Sequence, residues 1–159
     1  MIILGIDPGT RRIGYGLVEG TGNKTKFIEA GLLEVRSNED VAALKETKEQ
    51  IEKLIKRFRP EAMAIEKLFF MKNQKTAMKV AEARGVAILA AAENGLKILE
   101  YSPNEVKAGV TGYGLADKKA VSKMVSLILG ESDLKIIDDA SDALAIAIMG
   151  CYKRQSTAN

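Results

Sequence analysis

Four acidic residues, Asp7, Glu66, Asp139 and Asp142, bound what this chain can do. The first two each end a short apolar run, Ile2-Ile3-Leu4-Gly5-Ile6-Asp7 and Ala62-Met63-Ala64-Ile65-Glu66. A buried strand of that kind delivers one carboxylate to its C-terminal edge, where α/β sheets build their sites. Pro8-Gly9 turns the chain directly after Asp7 and holds it there. Asp139 and Asp142 stand three apart at the start of an apolar segment. They therefore share one face of a helix, at an N-terminus that favours negative charge. Each position also has an ordinary reading. Asp before Pro-Gly is common turn chemistry, a strand-end Glu can be a surface turn residue, and Asp at a helix start is a cap. Taken together, each at a site-forming edge, they point to convergence.

Carboxylates brought together repel one another unless a divalent cation neutralises them. The chain contains no histidine, which excludes His-containing metal sites, Ser-His-Asp triads and an imidazole base. An all-oxygen donor set suits Mg²⁺ or Mn²⁺ over Zn²⁺. Two such ions about 4 Å apart serve in-line phosphodiester hydrolysis. Asp138, next to Asp139, reads as a cap or supporting group with possible reach to the metal.

The elements that must position these groups follow from hydrophobic periodicity. Ile2–Asp7 reads as a strand, Ile13–Val18 pairs back on it as a hairpin, and Thr25–Val35 forms a third strand. A helix spans Asn38–Arg59, with Leu44, Ile51, Leu54, Ile55 and Phe58 on one stripe and Pro60 as its stop. Glu61–Glu66 is the fourth strand, Gln74–Glu93 a long helix closed by Asn94-Gly95, and Leu96–Tyr101 the fifth strand. One side of the long helix is small (Ala77, Ala81, Gly85, Ala92), which predicts close packing on the sheet or on a second copy of itself. Ser102-Pro103-Asn104-Glu105 has the residues of a capping box with Pro at the first helical position. Thr111–Gly114 breaks the chain, Ala116–Leu129 resumes as helix, and Asp138–Asp142 opens an apolar helix over Ala143–Tyr152. Antiparallel strands followed by crossovers predict an α/β protein with a five-stranded mixed sheet and helices on both faces. Strands one and four lie side by side and parallel in such a sheet, which makes Asp7 and Glu66 neighbours. The expected organisation is one domain over 1–154, with 155–159 a disordered tail.

Basic residues gather around the same elements: Lys72, Lys75, Lys79 and Arg84 after Glu66, and Lys107, Lys118, Lys119 and Lys123 near the last crossover. Contacts of such groups with phosphates give affinity and salt sensitivity. Phe69 and Phe70 are adjacent in a chain with only 5% aromatic residues. An exposed ring there can stack on bases or wedge between them, although Phe70 reads equally well as a core plug. The 159 residues, 47% hydrophobic and 28% charged with net charge +3, describe a soluble, mildly basic protein. No apolar run approaches the ~20 residues that span a bilayer. The N-terminus lacks a secretory signal, and the lone Cys151 fits a reducing cytoplasm.

Several motifs, in order and at matching spacing along nearly the whole chain, resemble the RuvC family of Holliday-junction resolvases. They are G-I-D-P-G-T (Gly5–Thr10), A-I-E (Ala64–Glu66), Lys72-Asn73, A-R-G-V-A-I (Ala83–Ile88) and D-A-S-D-A-L-A-I-A (Asp139–Ala147). The resemblance implies an RNase H-like fold, and a homodimer that nicks opposed strands of a four-way DNA junction to leave 5′-phosphate ends. It implies Asp7, Glu66, Asp139 and Asp142 as catalytic metal ligands, and Lys107 and Lys118 as lysines that hold the scissile phosphate. Phe69 would be the junction-probing aromatic, and the RuvA–RuvB branch-migration complex a partner. The longer basic tail common in the family is missing from this sequence. Three other readings stand beside it: an RNase H-like nuclease acting on RNA or RNA–DNA hybrid, an actin-like nucleotide-binding fragment, and a DNA-binding module without catalysis.

Overall fold

The computed structural model describes residues 1–22, 24–68, 74–131 and 138–155, with residues 153–155 described by their backbone alone. Phe69, Phe70, Lys72, Asn73 and the tail at 156–159 lie outside the described residues. The chain forms β1 (Ile2–Asp7), β2 (Arg12–Thr21), β3 (Lys24–Glu34), α1 (Asp40–Phe58), β4 (Ala62–Glu66), α2 (Gln74–Glu93), β5 (Lys97–Tyr101), α3 (Pro103–Thr111), α4 (Lys118–Leu129) and α5 (Asp138–Gln155).

The five strands form one sheet in the order β3-β2-β1-β4-β5. β1 pairs antiparallel with β2 and parallel with β4, and β4 pairs parallel with β5, as expected for hairpins followed by crossovers. Alternation along β1 sends Leu4 and Ile6 to one face and Ile3 to the other, and β4 divides Met63 and Ile65 from Ala62 and Ala64 in the same way. The first face packs on α1 and α2, through Ile51, Leu54, Ile55, Ala87, Ala90 and Ala91. The second packs on α3, α4 and α5, through Val106, Val121, Leu144 and Ile148. Residues 143–148 of α5 are all buried. This explains why the segment reads as apolar on every side: it is the centre of its layer.

Some boundaries differ from the periodicity. α1 begins at Asp40 because Glu39, not Asn38, caps it, its carboxylate accepting from the Val41 and Ala42 amides. α4 begins at Lys118 behind Asp117, whose side chain accepts from the Ala120 amide. The box at Ser102 is complete: Ser102 Oγ accepts from the Glu105 amide, and Glu105 accepts from the Ser102 amide at 2.7 Å. On α2 the sheet-facing side is Val80, Ala83, Ala87, Ala90 and Ala91, so the exposed Ala81, Gly85 and Ala92 look outward together with Met78 and Leu89.

Candidate active site

The β1–β4 register ends at Ile6 opposite Ile65, which sets Asp7 beside Glu66. Both follow the alternation of Ile3, Ala62 and Ala64 and so face the α5 layer. Helix α5 can reach them because the sheet beneath it is paved with glycine. A Cβ on Gly5 would overlap the Ala143 carbonyl, one on Gly14 the Asp139 carbonyl, and one on Gly16 would stand 2.8 Å from the Leu144 nitrogen. These strands omit side chains so that the helix backbone lies directly on β1 and β2. That contact brings the N-terminal turn of α5, with Asp139 and Asp142, to the edge where Asp7 and Glu66 end.

The result is a cleft of about 260 Å³ with Asp7, Glu66 and Asp142 in its wall, facing Lys107 and Lys118. Pro103, Val106, Val121, Ala145 and Ile146 form its apolar side. Lys107 comes from α3 and Lys118 from the first residue of α4, so the two helices after β5 each contribute one cation. Lys118 Nζ donates to Asp142 Oδ2 at 3.1 Å. Asp139 stands outside the cleft lining and pairs with Arg12, its Oδ2 being 3.8 Å from the guanidinium Nε.

The electrostatics record the crowding. Burial, then Asp142, Glu66 and Asp139, push the Asp7 carboxyl up to about 7, against the opposing pull of Lys118. Burial and Asp142 also raise Glu66, while Lys107 and Lys118 pull it down. Lys118 is raised by its hydrogen bond and charge contact with Asp142. A buried carboxyl raised further by three others is the signature of an incomplete charge set. The donors are all oxygens, the set preferred by hard divalent ions, and the ammonium on Asp142 already occupies a cation's place. The residues therefore fit Mg²⁺ or Mn²⁺. Among the described residues no three acidic side chains are gathered closely enough to count as a metal cluster by spacing alone.

The family model described as crossover junction endodeoxyribonuclease RuvC matches residues 3–150. The chain belongs to the RuvC family. Its relatives include the proteins named crossover junction endodeoxyribonuclease RuvC from Natranaerobius thermophilus and Pelotomaculum thermopropionicum. The first is 47% identical over 93% of this chain and 92% of its own length; the second is 44% identical over 99% and 95%. Thermus thermophilus RuvC superposes with a TM-score of 0.89 at 33% identity, covering 99% of this chain and 98% of that one. The same protein in complex with Holliday junction substrate gives 0.87 at 31% identity, with the same coverage. The fold is thus the RNase H-like fold that the motifs imply.

Among the residues singled out by sequence, five meet in the cleft and Asp139 flanks it. The other basic positions are placed differently. Lys79 Nζ pairs with Asp40 at 2.9 Å, and Lys75 is exposed at the start of α2. Arg84 turns inward, with only 16% of its side chain exposed, and bonds to the main chain of Glu66 and to Glu100. Sequence reasoning missed Arg12 and Glu100. Both find their partners across the tertiary fold, and no local spacing connects either to the acidic residues.

Proposed function

We propose that this RuvC-family chain is a metal-dependent endodeoxyribonuclease that resolves four-way DNA junctions by paired hydrolytic nicks, leaving 5′-phosphate ends. The observation that carries the reading is the meeting of Asp7, Glu66 and Asp142 in one cleft opposite Lys107 and Lys118, with burial and then the neighbouring carboxylates pushing the Asp7 carboxyl up to about 7. Asp7, Glu66, Asp139 and Asp142 would hold Mg²⁺, or Mn²⁺ in its stead, two ions per site. When bound, the metal supplies an activated water and stabilises charge on the reacting phosphodiester. Asp7 would hold the cation in its ionised form. Lys107 and Lys118 hold the scissile phosphate, one presented from the middle of α3 and the other from the first residue of α4. Lys118 exchanges Asp142 for a phosphate oxygen in that step. The apolar side of the cleft excludes water from one flank and strengthens the electrostatics on the other.

One domain over 1–154 houses the site. Paired nicks require two copies, and the outward face of α2, with Met78, Gly85 and Leu89, is the surface that joins them into a homodimer. Lys75 and Lys79 extend the phosphate track, and Phe69, Phe70 and Lys72, which follow Glu66 in the sequence, are the residues that contact the junction. The RuvA–RuvB complex is the proposed cellular partner, in the cytoplasm. Among the described residues no helix is long and apolar enough to cross a membrane.

The test compares synthetic four-way DNA junctions, linear duplex and RNA–DNA hybrid with Mg²⁺, Mn²⁺ or chelator. Symmetric nicking of the junction alone, dependent on metal, is expected, and Asp7→Asn should bind junctions but cut none. Cleavage retained by Asp7→Asn would refute the site, and preference for the hybrid would refute the substrate.

A further inference from the structure

Arg84 lies midway along α2, on the opposite side of the sheet from the acidic cleft, yet it reaches round the strand ends to the site. Its Nε donates to the main-chain carbonyl of Glu66 at 2.8 Å. Its Nη2 pairs with Glu100 Oε2. Glu100 sits on β5 opposite Ile65, and Tyr101 sits opposite Glu66. The Lys67 amide then donates to the Tyr101 carbonyl at 2.8 Å. The peptide that leaves Glu66 is thus held from two directions: its nitrogen by the β5 ladder and its oxygen by the guanidinium.

Glu66 is the last residue of β4, and strand ends open locally at low cost unless something ties them down. Fixing the Glu66 carbonyl fixes ψ of that residue, and with it the direction in which the side chain leaves the strand. Arginine suits the task because its planar fork satisfies two acceptors at set angles, which an ammonium cannot do. Glu100 keeps the guanidinium from turning toward solvent or toward the acidic cleft. The guanidinium charge is paired with the Glu100 carboxylate. Its influence on the site is geometric.

We propose that Arg84, with Glu100 as its counter-ion, is a positioning residue that aims the Glu66 carboxylate for a divalent cation. This rests on the metal-dependent reading of the cleft given above. It also removes Arg84 from the DNA-contact surface on which its sequence neighbourhood would put it.

The experiment measures Mn²⁺ affinity calorimetrically in the full chain without DNA, junction affinity in chelator across a salt series, and cleavage rate against metal concentration. Variants are Arg84→Gln, Arg84→Lys, Glu100→Gln and the double Arg84→Gln/Glu100→Gln. Loss of a group that orients a metal ligand costs about 10–100-fold in metal affinity, and Arg84→Gln should weaken Mn²⁺ by that amount. Its junction affinity and salt slope should stay within about twofold of wild type, since no phosphate contact is lost. Added Mn²⁺ should recover most of its cleavage. Arg84→Lys should fall between, keeping one of the two contacts. Glu100→Gln should shift Mn²⁺ binding the same way by less, and the double variant should be no worse than Arg84→Gln. Wild-type Mn²⁺ affinity in Arg84→Gln would overturn the proposal. So would weaker junction binding with a salt slope reduced by about one, the mark of a phosphate contact. If Arg84→Gln does not fold, Glu100→Gln decides by the same Mn²⁺ criterion. If wild type binds Mn²⁺ but cuts no junction, the nuclease reading fails and the positioning role is still judged by Mn²⁺ titration.

Discussion

Replacing Asp7 by Asn should make the metal-free protein more stable, and more so as pH rises. In the folded chain, burial and the neighbouring carboxylates raise the Asp7 carboxyl from 3.8 to about 7. At about 1.4 kcal/mol per tenfold change in proton affinity, this corresponds to about 4 kcal/mol between the two states. The sign is set by which state holds the proton. Between pH 3.8 and about 7 the folded protein keeps a proton that the unfolded chain has released. Stability therefore falls as pH rises through that window, and the whole penalty is present above it. Asn carries no such penalty. From pH 5 to pH 7 the stability of Asp7→Asn relative to wild type should grow by about 2–3 kcal/mol, while volume and hydrogen-bonding differences between the side chains cancel in the comparison. Urea unfolding in chelator at a series of pH values measures this directly. Saturating Mn²⁺ should then stabilise wild type at pH 8 by mass action and leave Asp7→Asn nearly unaffected. A stability difference independent of pH would refute the claim that the four carboxylates crowd one another.

Two further outcomes follow from the packing. Gly14→Ala sets a methyl group against the Asp139 carbonyl; overpacking of this kind costs about 1–3 kcal/mol, and the shifted start of α5 should lower cleavage well beyond the loss of folded protein, as paired urea and single-turnover measurements will read. Leu89→Glu, on the outward face of α2 where the side chain is 51% exposed, should give a monomer in sedimentation that nicks one strand but no longer both together, with an unchanged melting temperature at the monomer level; an intact dimer would move the interface elsewhere.

How far the sequence alone reaches depends on whether the signal is local. The ends of β1 and β4 are legible because an apolar run broken by a carboxylate is a contiguous pattern, and the crossover rule then makes the two strands neighbours. The Ser102 box is legible for the same reason. Helix α1 starts later than the Asn38 expected from periodicity because the Glu39 side chain accepts from the Val41 and Ala42 amides and so caps it. Helix α2 defeats a periodicity argument. Alanine lines both its sides, so the contrast between core and surface disappears, and the small residues picked out by spacing turn out to face away from the sheet. Arg84 reads as one more surface cation in a basic stretch, because its partners, the Glu66 carbonyl and Glu100, come from two different strands. Arg12 is hidden likewise: its contact with Asp139 joins the start of β2 to the start of α5.

The glycine-paved face of β1 and β2 also bears on the order in which the chain can become active. Asp7 and Glu66 belong to strands made early, whereas Asp142 arrives with a helix that follows all five strands. A nascent chain can build the sheet and its α1–α2 layer while the opposite face, smooth for want of side chains, remains uncovered. Such a face is a template for the wrong helix or for another chain until α5 lies down on it. The contacts that close the site span most of the sequence, so they are expected to form late and to limit the folding rate. A partly made chain would therefore hold two carboxylates of the set but not the pair on α5. Cutting would begin only after the core has closed, which protects DNA from a half-folded nuclease.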